Sequence, residues 1–156
     1  MEVTNFVKRR LLPNVRKMKL ACITGDVHQP LHSTKFYDEV RFLDYYLRIL
    51  DLFDAKATIF VTGRCIERKA TYFQKVSRRT NIELGGHTYS AFRPIFLSQI
   101  FRIVYNDPYG PKIYKEVDVR LVLKAFESIR TKIRAWRTHG YLGSESLYDV
   151  LIKYDI

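Results

Sequence analysis

Three of the four histidines in this chain stand in polar clusters, and each cluster closes a short apolar run: Asp26-Val27-His28, Gly85-Gly86-His87-Thr88-Tyr89 and Arg137-Thr138-His139. Imidazole nitrogen and carboxylate oxygen are donors that zinc accepts at about 2.0–2.2 Å, with one position left open when the ion is catalytic. A carboxylate beside such an ion need only take a proton, because a bound water ionises near pH 7. Side chains two apart on a strand share a face, so Asp26 with His28, and Arg137 with His139, can each point the same way. If the runs are neighbouring parallel strands, all three clusters meet on one rim, where the loops of open α/β sheets and barrels free side chains for chemistry.

The elements that would position them follow from periodicity. Leu20–Thr24, Ala57–Thr62, Ile82–Gly85 and Ala135–Arg137 read as short strands, the second rich in β-branched residues and stopped by Gly63. Between them lie helical faces: Phe36, Val40, Leu43, Leu47 and Leu50 behind a Ser33/Thr34 cap, then Ile66, Ala70, Phe73 and Val76 in a helix over 64–80. Pro94 can open a helix through Phe101 and Val104, and 106–111 is a dense turn segment. Val119, Val122, Phe126, Ile129 and Ile133 share the next helical face, and Leu147, Val150 and Leu151 the last. The order β-α-β-α-β-α-β-α implies right-handed crossovers and a parallel sheet with outer helices, either an open α/β layer or part of a barrel.

Composition sets bounds. A chain of 156 residues, 47% hydrophobic, is long enough for one core, and 7 Gly and 5 Pro without low-complexity tracts argue against disorder. The two cysteines, Cys22 and Cys65, lack metal-finger spacing, and Cys22 reads as a small core residue. No run approaches a membrane span, and the basic start lacks a secretory apolar segment, so a cytoplasmic protein is expected. The formal charge of +11 is concentrated early, with Lys8, Arg9, Arg10, Arg16, Lys17 and Lys19 forming a basic arm over 1–18 ahead of an α/β domain over 19–156. Such an excess can attract anionic polymers or lipid. No nucleic-acid motif accompanies it, and the basic residues of 64–80 read as a solvated face, so nucleic acid is not an expected partner.

The same clusters resemble those of the polysaccharide deacetylase superfamily, the NodB-homology or family 4 carbohydrate esterase domain. Thr24-Gly25-Asp26-Val27-His28 sits where that family has Thr-Phe-Asp-Asp-Gly, and Ala57-Thr-Ile-Phe-Val-Thr-Gly63 is similar to its second strand. Glu83-Leu-Gly-Gly-His-Thr-Tyr-Ser90 is similar to Glu-Ile-Gly-Asn-His-Thr-x-x-His, and Trp136-Arg-Thr-His-Gly-Tyr141 to Phe-Arg-x-Pro-x-Gly. The resemblance runs in order over about 19–156 and implies a partial or distorted TIM-like (β/α) barrel. It further implies hydrolysis of a non-peptide C–N amide bond, on an N-acetylated carbohydrate or related small amide, with a divalent metal, expected to be zinc.

By that resemblance Asp26 is the general base, His87 a metal ligand and Arg137 the arginine beside the base. Two family ligand positions are replaced, one by Val27 and one by Ala91. His28 can substitute for a lost ligand, with Asp26 completing the set, or be an ordinary loop residue; His32 reads as a loop residue. Arg137 can hold Asp26 ionised or form a structural ion pair. His139 can act as the acid for the leaving amine or simply pack its loop, and Tyr89 and Tyr141 can stack on a sugar ring or remain rim residues. Family barrels continue for further strands, so an open sheet edge is expected here, covered by a second copy or a partner chain. The alternative to a hydrolase is a shortened, catalytically silent relative that keeps the cleft for binding or oligomerisation.

Overall fold

The structure is a computed structural model that describes residues 21–28, 39–91 and 94–156. The basic arm over 1–18 and the Ser33/Thr34 cap lie outside the described residues.

Three parallel strands form the centre: β1 (Ile23–Val27), β2 (Ala57–Val61) and β3 (Ile82–Gly86), in spatial order β1-β2-β3. Asp26 pairs with Phe60, and Phe60 with Gly85. Around them, among the described residues, lie six helices: α1 (Glu39–Leu52), α2 (Gly63–Arg68), α3 (Ala70–Val76), α4 (Ile95–Tyr105), α5 (Lys112–Ser128) and α6 (Glu145–Lys153). The expected α/β class with parallel strands holds, and the sheet is open among the described residues.

The helices form where apolar residues recur on one face. Val40, Leu43, Leu47 and Leu50 of α1 are all buried, as the spacing requires. Phe73, Val122 and Phe126 are buried among Ile59, Val61 and Ile66, so α3 and α5 close the sheet from outside. A second cluster of Val119, Leu147, Val150 and Leu151 fixes α6 to α5.

Four expectations are corrected. The first strand runs Ile23–Val27 and not Leu20–Thr24, so Asp26 lies within the ladder and His28 is the residue that leaves it. Cys22 is exposed and Cys65 is the core cysteine. The helix read over 64–80 is two, broken at Lys69, whose φ of −129° leaves the helical range. The expected fourth strand is a single parallel bridge, Gly86 to Trp136. Its backbone makes two ladder bonds, Gly86 N–H to Ala135 O and Arg137 N–H to Gly86 O, before the chain turns away in a 3-10 turn at His139–Tyr141.

Two glycines let this bridge form. An ideal Cβ on Gly85 would stand 2.6 Å from the Phe60 ring, and one on Gly86 2.5 Å from the Trp136 indole. Their bare backbones therefore admit one aromatic ring each, and the carboxyl ends of β1, β3 and the 135–137 run come together on one rim.

Candidate metal centre

His28 follows β1, His87 follows β3 and His139 follows the bridge, so three elements remote in sequence each deliver one imidazole. Nε2 of His28 lies 3.1 Å from Nε2 of His87, and Nδ1 of His139 lies 3.2 Å from each. The three nitrogens make a nearly equilateral triangle.

Hydrogen bonds on the far side of two of the rings, His87 and His28, fix which of their nitrogens face inward as bases. His87 Nδ1 lies 2.8 Å from the Arg137 carbonyl, which can only accept, so the ring proton of neutral His87 sits there and Nε2 presents its lone pair. His28 Nδ1 lies 3.1 Å from Glu39 Oε2 and donates to it, leaving Nε2 of the neutral ring likewise bare. Burial pushes His87 below the usual imidazole range despite the Arg137 carbonyl and Asp26. Burial, reinforced by His28 and His87, pushes His139 down to about 4. The bare Nε2 atoms of His28 and His87, 3.1 Å apart, repel one another unless a cation, or a proton on His139 Nδ1, lies between them.

The donor set fits a zinc-like ion. Bonds of about 2.0–2.1 Å at tetrahedral angles separate donor nitrogens by about 3.3–3.4 Å, within a few tenths of an ångström of the triangle. Three imidazoles also leave a fourth position, as in catalytic zinc sites.

Asp26 borders the triangle, with Oδ2 3.9 Å from His87 Nε2. Its other oxygen is taken by Arg137 Nη1 at 2.8 Å, while Arg137 Nη2 donates to Thr24 Oγ1 at 2.6 Å. The guanidinium lies over the Phe60 ring, 4.3 Å from its centroid, and is 5.7 Å from the exposed Tyr141 ring. Arg137 thus acts twice, its carbonyl setting the His87 tautomer and its side chain orienting Asp26. The Tyr109 hydroxyl donates to the His139 carbonyl at 2.9 Å and ties the His139 turn to the loop after α4.

The structure therefore brings Asp26, His28, His87, Arg137 and His139 together, with Tyr141 at the edge. Tyr89 is directed elsewhere: its hydroxyl donates to Glu67 of α2 at 2.8 Å and its ring covers Gly63. Val27 is buried in the core and Ala91 sits in a left-handed turn with φ of 52°, and neither apolar side chain offers a donor. The group of three donors is His28, His87 and His139, and does not include Asp26.

Sequence reading missed Glu39. Burial pushes its carboxyl up, but hydrogen bonds from the His28 ring and backbone outweigh this and leave it below the usual carboxylate range. Its one signal in the sequence is an acidic residue in the first turn of α1.

No family model matches the chain, and no curated protein sequence matches it. Solved structures do. A family 4 carbohydrate esterase pseudoenzyme from Bacillus anthracis superposes with a TM-score of 0.62 at 18% identity, over 86% of this chain and 41% of its own. A mutant of that pseudoenzyme with restored enzymatic activity gives 0.67 at 18% identity, over 90% of this chain and 43% of its own. A family 4 carbohydrate esterase from Streptomyces lividans, in complex with acetate, gives 0.60 at 12% identity over 86% of this chain and 59% of its own. An acetyl xylan esterase of the same family from Clostridium thermocellum, in complex with a cobalt ion, gives 0.55 at 13% identity, over 83% of this chain and 54% of its own. The chain has the polysaccharide deacetylase fold, and it spans about half the length of the structures it matches.

Proposed function

We propose that the chain is a metal-assisted hydrolase of a non-peptide C–N amide bond, acting on an N-acetylated carbohydrate or related small amide. One observation carries the reading: three imidazole nitrogens converge on one point, with a carboxylate oxygen 3.9 Å from the nearest of them. His28, His87 and His139 would hold the ion, which when bound supplies an activated water and polarises the scissile carbonyl.

Asp26 is the base. Arg137 occupies its Oδ1, so the proton of the attacking water goes to Oδ2, the oxygen nearer the triangle. The Arg137–Asp26 contact keeps the carboxylate turned toward the site and limits its rotation. Once protonated, Asp26 is placed to return the proton to the leaving amine, a part that His139 cannot play through an Nδ1 already turned into the triangle. The exposed Tyr141 ring, at the open side of Arg137, offers a flat face for a sugar.

The silent-relative reading draws on Val27, Ala91 and the likeness to a pseudoenzyme. One experiment separates the two. The chain is loaded with zinc or cobalt, metal per chain is measured, and acetate release from N-acetylated sugar oligomers is followed for wild type and Asp26→Asn. The hydrolase reading expects one ion per chain in both proteins and a loss of about 10²–10⁴-fold in the variant. Bound metal with no acetate released by wild type supports the silent relative, and no bound metal at all overturns the centre itself.

A further inference from the structure

Each donor of the triangle must be held in one rotamer for the three nitrogens to meet. His87 is buried at the end of β3 and bonded to the bridge carbonyl of Arg137, and His139 is tethered through its own carbonyl by Tyr109. His28 is the first residue past β1 and is only partly covered, with a quarter of its side chain exposed. Its orientation comes from Glu39. The single oxygen Oε2 accepts the His28 backbone N–H at 2.5 Å and the ring Nδ1–H at 3.1 Å, closing a loop between the start of the chain segment and the ring tip. Both torsions of the side chain are fixed by that pair of bonds.

Charge argues in the same direction. Three imidazoles carry no negative charge to offset a divalent cation, and the nearer carboxylate, Asp26, is already paired with Arg137 at 2.8 Å. Glu39 is a carboxylate bonded directly to a donor ring, and among the described residues no guanidinium is paired with it.

We propose that Glu39 is the positioning residue of the metal centre, holding His28 in the ligating tautomer and rotamer and raising its donor strength. This rests on the reading of the three imidazoles as a metal centre. A carboxylate behind a ligating histidine fixes the ring and increases its basicity, and loss of such a partner typically lowers metal affinity 10–100-fold.

The test titrates zinc and cobalt into the full chain against a chromophoric chelator, for wild type, Glu39→Gln and Glu39→Ala. The visible spectrum of the cobalt form and the unfolding midpoint of the metal-free form are recorded alongside. Glu39→Ala should weaken binding about 10–100-fold and shift the cobalt spectrum, with Glu39→Gln intermediate because its amide oxygen can still accept from His28. A carboxylate that merely anchored α1 would lower the metal-free midpoint and leave affinity and spectrum alone. Should Glu39→Ala not fold, Glu39→Gln carries the test. Wild-type binding with both variants within twofold of it overturns this inference and spares the centre; a wild type that binds neither ion overturns both.

Discussion

At the scale of single residues, the candidate site is built from groups that hold one another in place. Arg137 touches His87 through its backbone and Asp26 through its side chain. Behind them Asp118 of α5 accepts the Tyr89 backbone N–H with both oxygens, at 3.1 and 3.2 Å, and so holds the loop that follows His87. Asp118 lines a narrow cavity with Thr88, Ser90, Tyr109 and Lys115, and burial there, only partly offset by the Tyr89 amide, pushes its carboxyl up to about 6. Between its ordinary value of 3.8 and about 6, the folded chain keeps a proton that the unfolded chain releases, so stability falls as pH rises through that window. Asp118→Asn keeps an oxygen for the Tyr89 amide without the charge. It should stabilise the protein by about 1–2 kcal/mol at pH 8, a gain that fades as pH drops toward 4. Urea unfolding at both pH values checks this, and an unchanged stability at pH 8 would contradict it. The clusters that hold Asp26, His87 and Arg137 were legible in the sequence because each closes an apolar run, whereas the roles given to those three residues came from the resemblance. Glu39 was not legible, since nothing in residue type or spacing says that a helix start eleven residues on will fold back onto His28.

The elements show why the tips of β1 and β3 and the 135–137 bridge converge so closely. Gly85 and Gly86 end β3, and the second lets the Trp136 indole lie against the backbone while Arg137 bonds to the Gly86 carbonyl. Gly86→Ala would set a methyl 2.5 Å from that indole, also 3.3 Å from Ile133. Trp136 must then move, carrying Arg137 and His139 with it. The variant should lose about 1–3 kcal/mol of stability, as overpacking typically costs, and bind metal more weakly than wild type. Val76→Ala, at the end of α3 that leads into the opposite end of β3, is the control: it should lower the thermal midpoint yet leave metal affinity unchanged. Equal effects of the two substitutions on affinity would show that the bridge has no special part in the centre. Helix faces such as Val40, Leu43, Leu47 and Leu50 were legible because burial must follow a 3.6-residue period. The start of β1 and the break at Lys69 were not, because in runs of five or six residues tertiary pairing outweighs local preference. The 135–137 run was over-read as a strand for the same reason: its residues prefer extended backbone, but after one bridge the chain turns to aim His139 inward.

At the scale of the whole molecule, apolar side chains stay exposed on two helices among the described residues. No described residue of α4 is buried, and Ile95, Phe96, Ile103 and Val104 all stand exposed, Ile103 at 84%. On α1 a second stripe, Phe42, Tyr45, Ile49 and Leu52, faces outward opposite the core-facing set. Monomeric soluble proteins seldom carry contiguous apolar patches beyond a few hundred Å², and among the described residues β1 pairs only with β2, which leaves one strand edge free to bond. The charge of +11 opposes indiscriminate clumping, so association should be limited and specific, and weaker at low salt, where repulsion between copies is least screened. No described helix is long and apolar enough to cross a membrane. Sedimentation velocity at tens of micromolar should therefore give a mass above the 18.5 kDa of one chain. Ile103→Glu combined with Val104→Glu should return it to that mass, while metal affinity holds because α4 contributes no donor to the triangle. A wild type that sediments as one chain at every salt concentration would refute the association. One that stays associated after both substitutions would move the contact from α4 to the β1 edge and the outer stripe of α1.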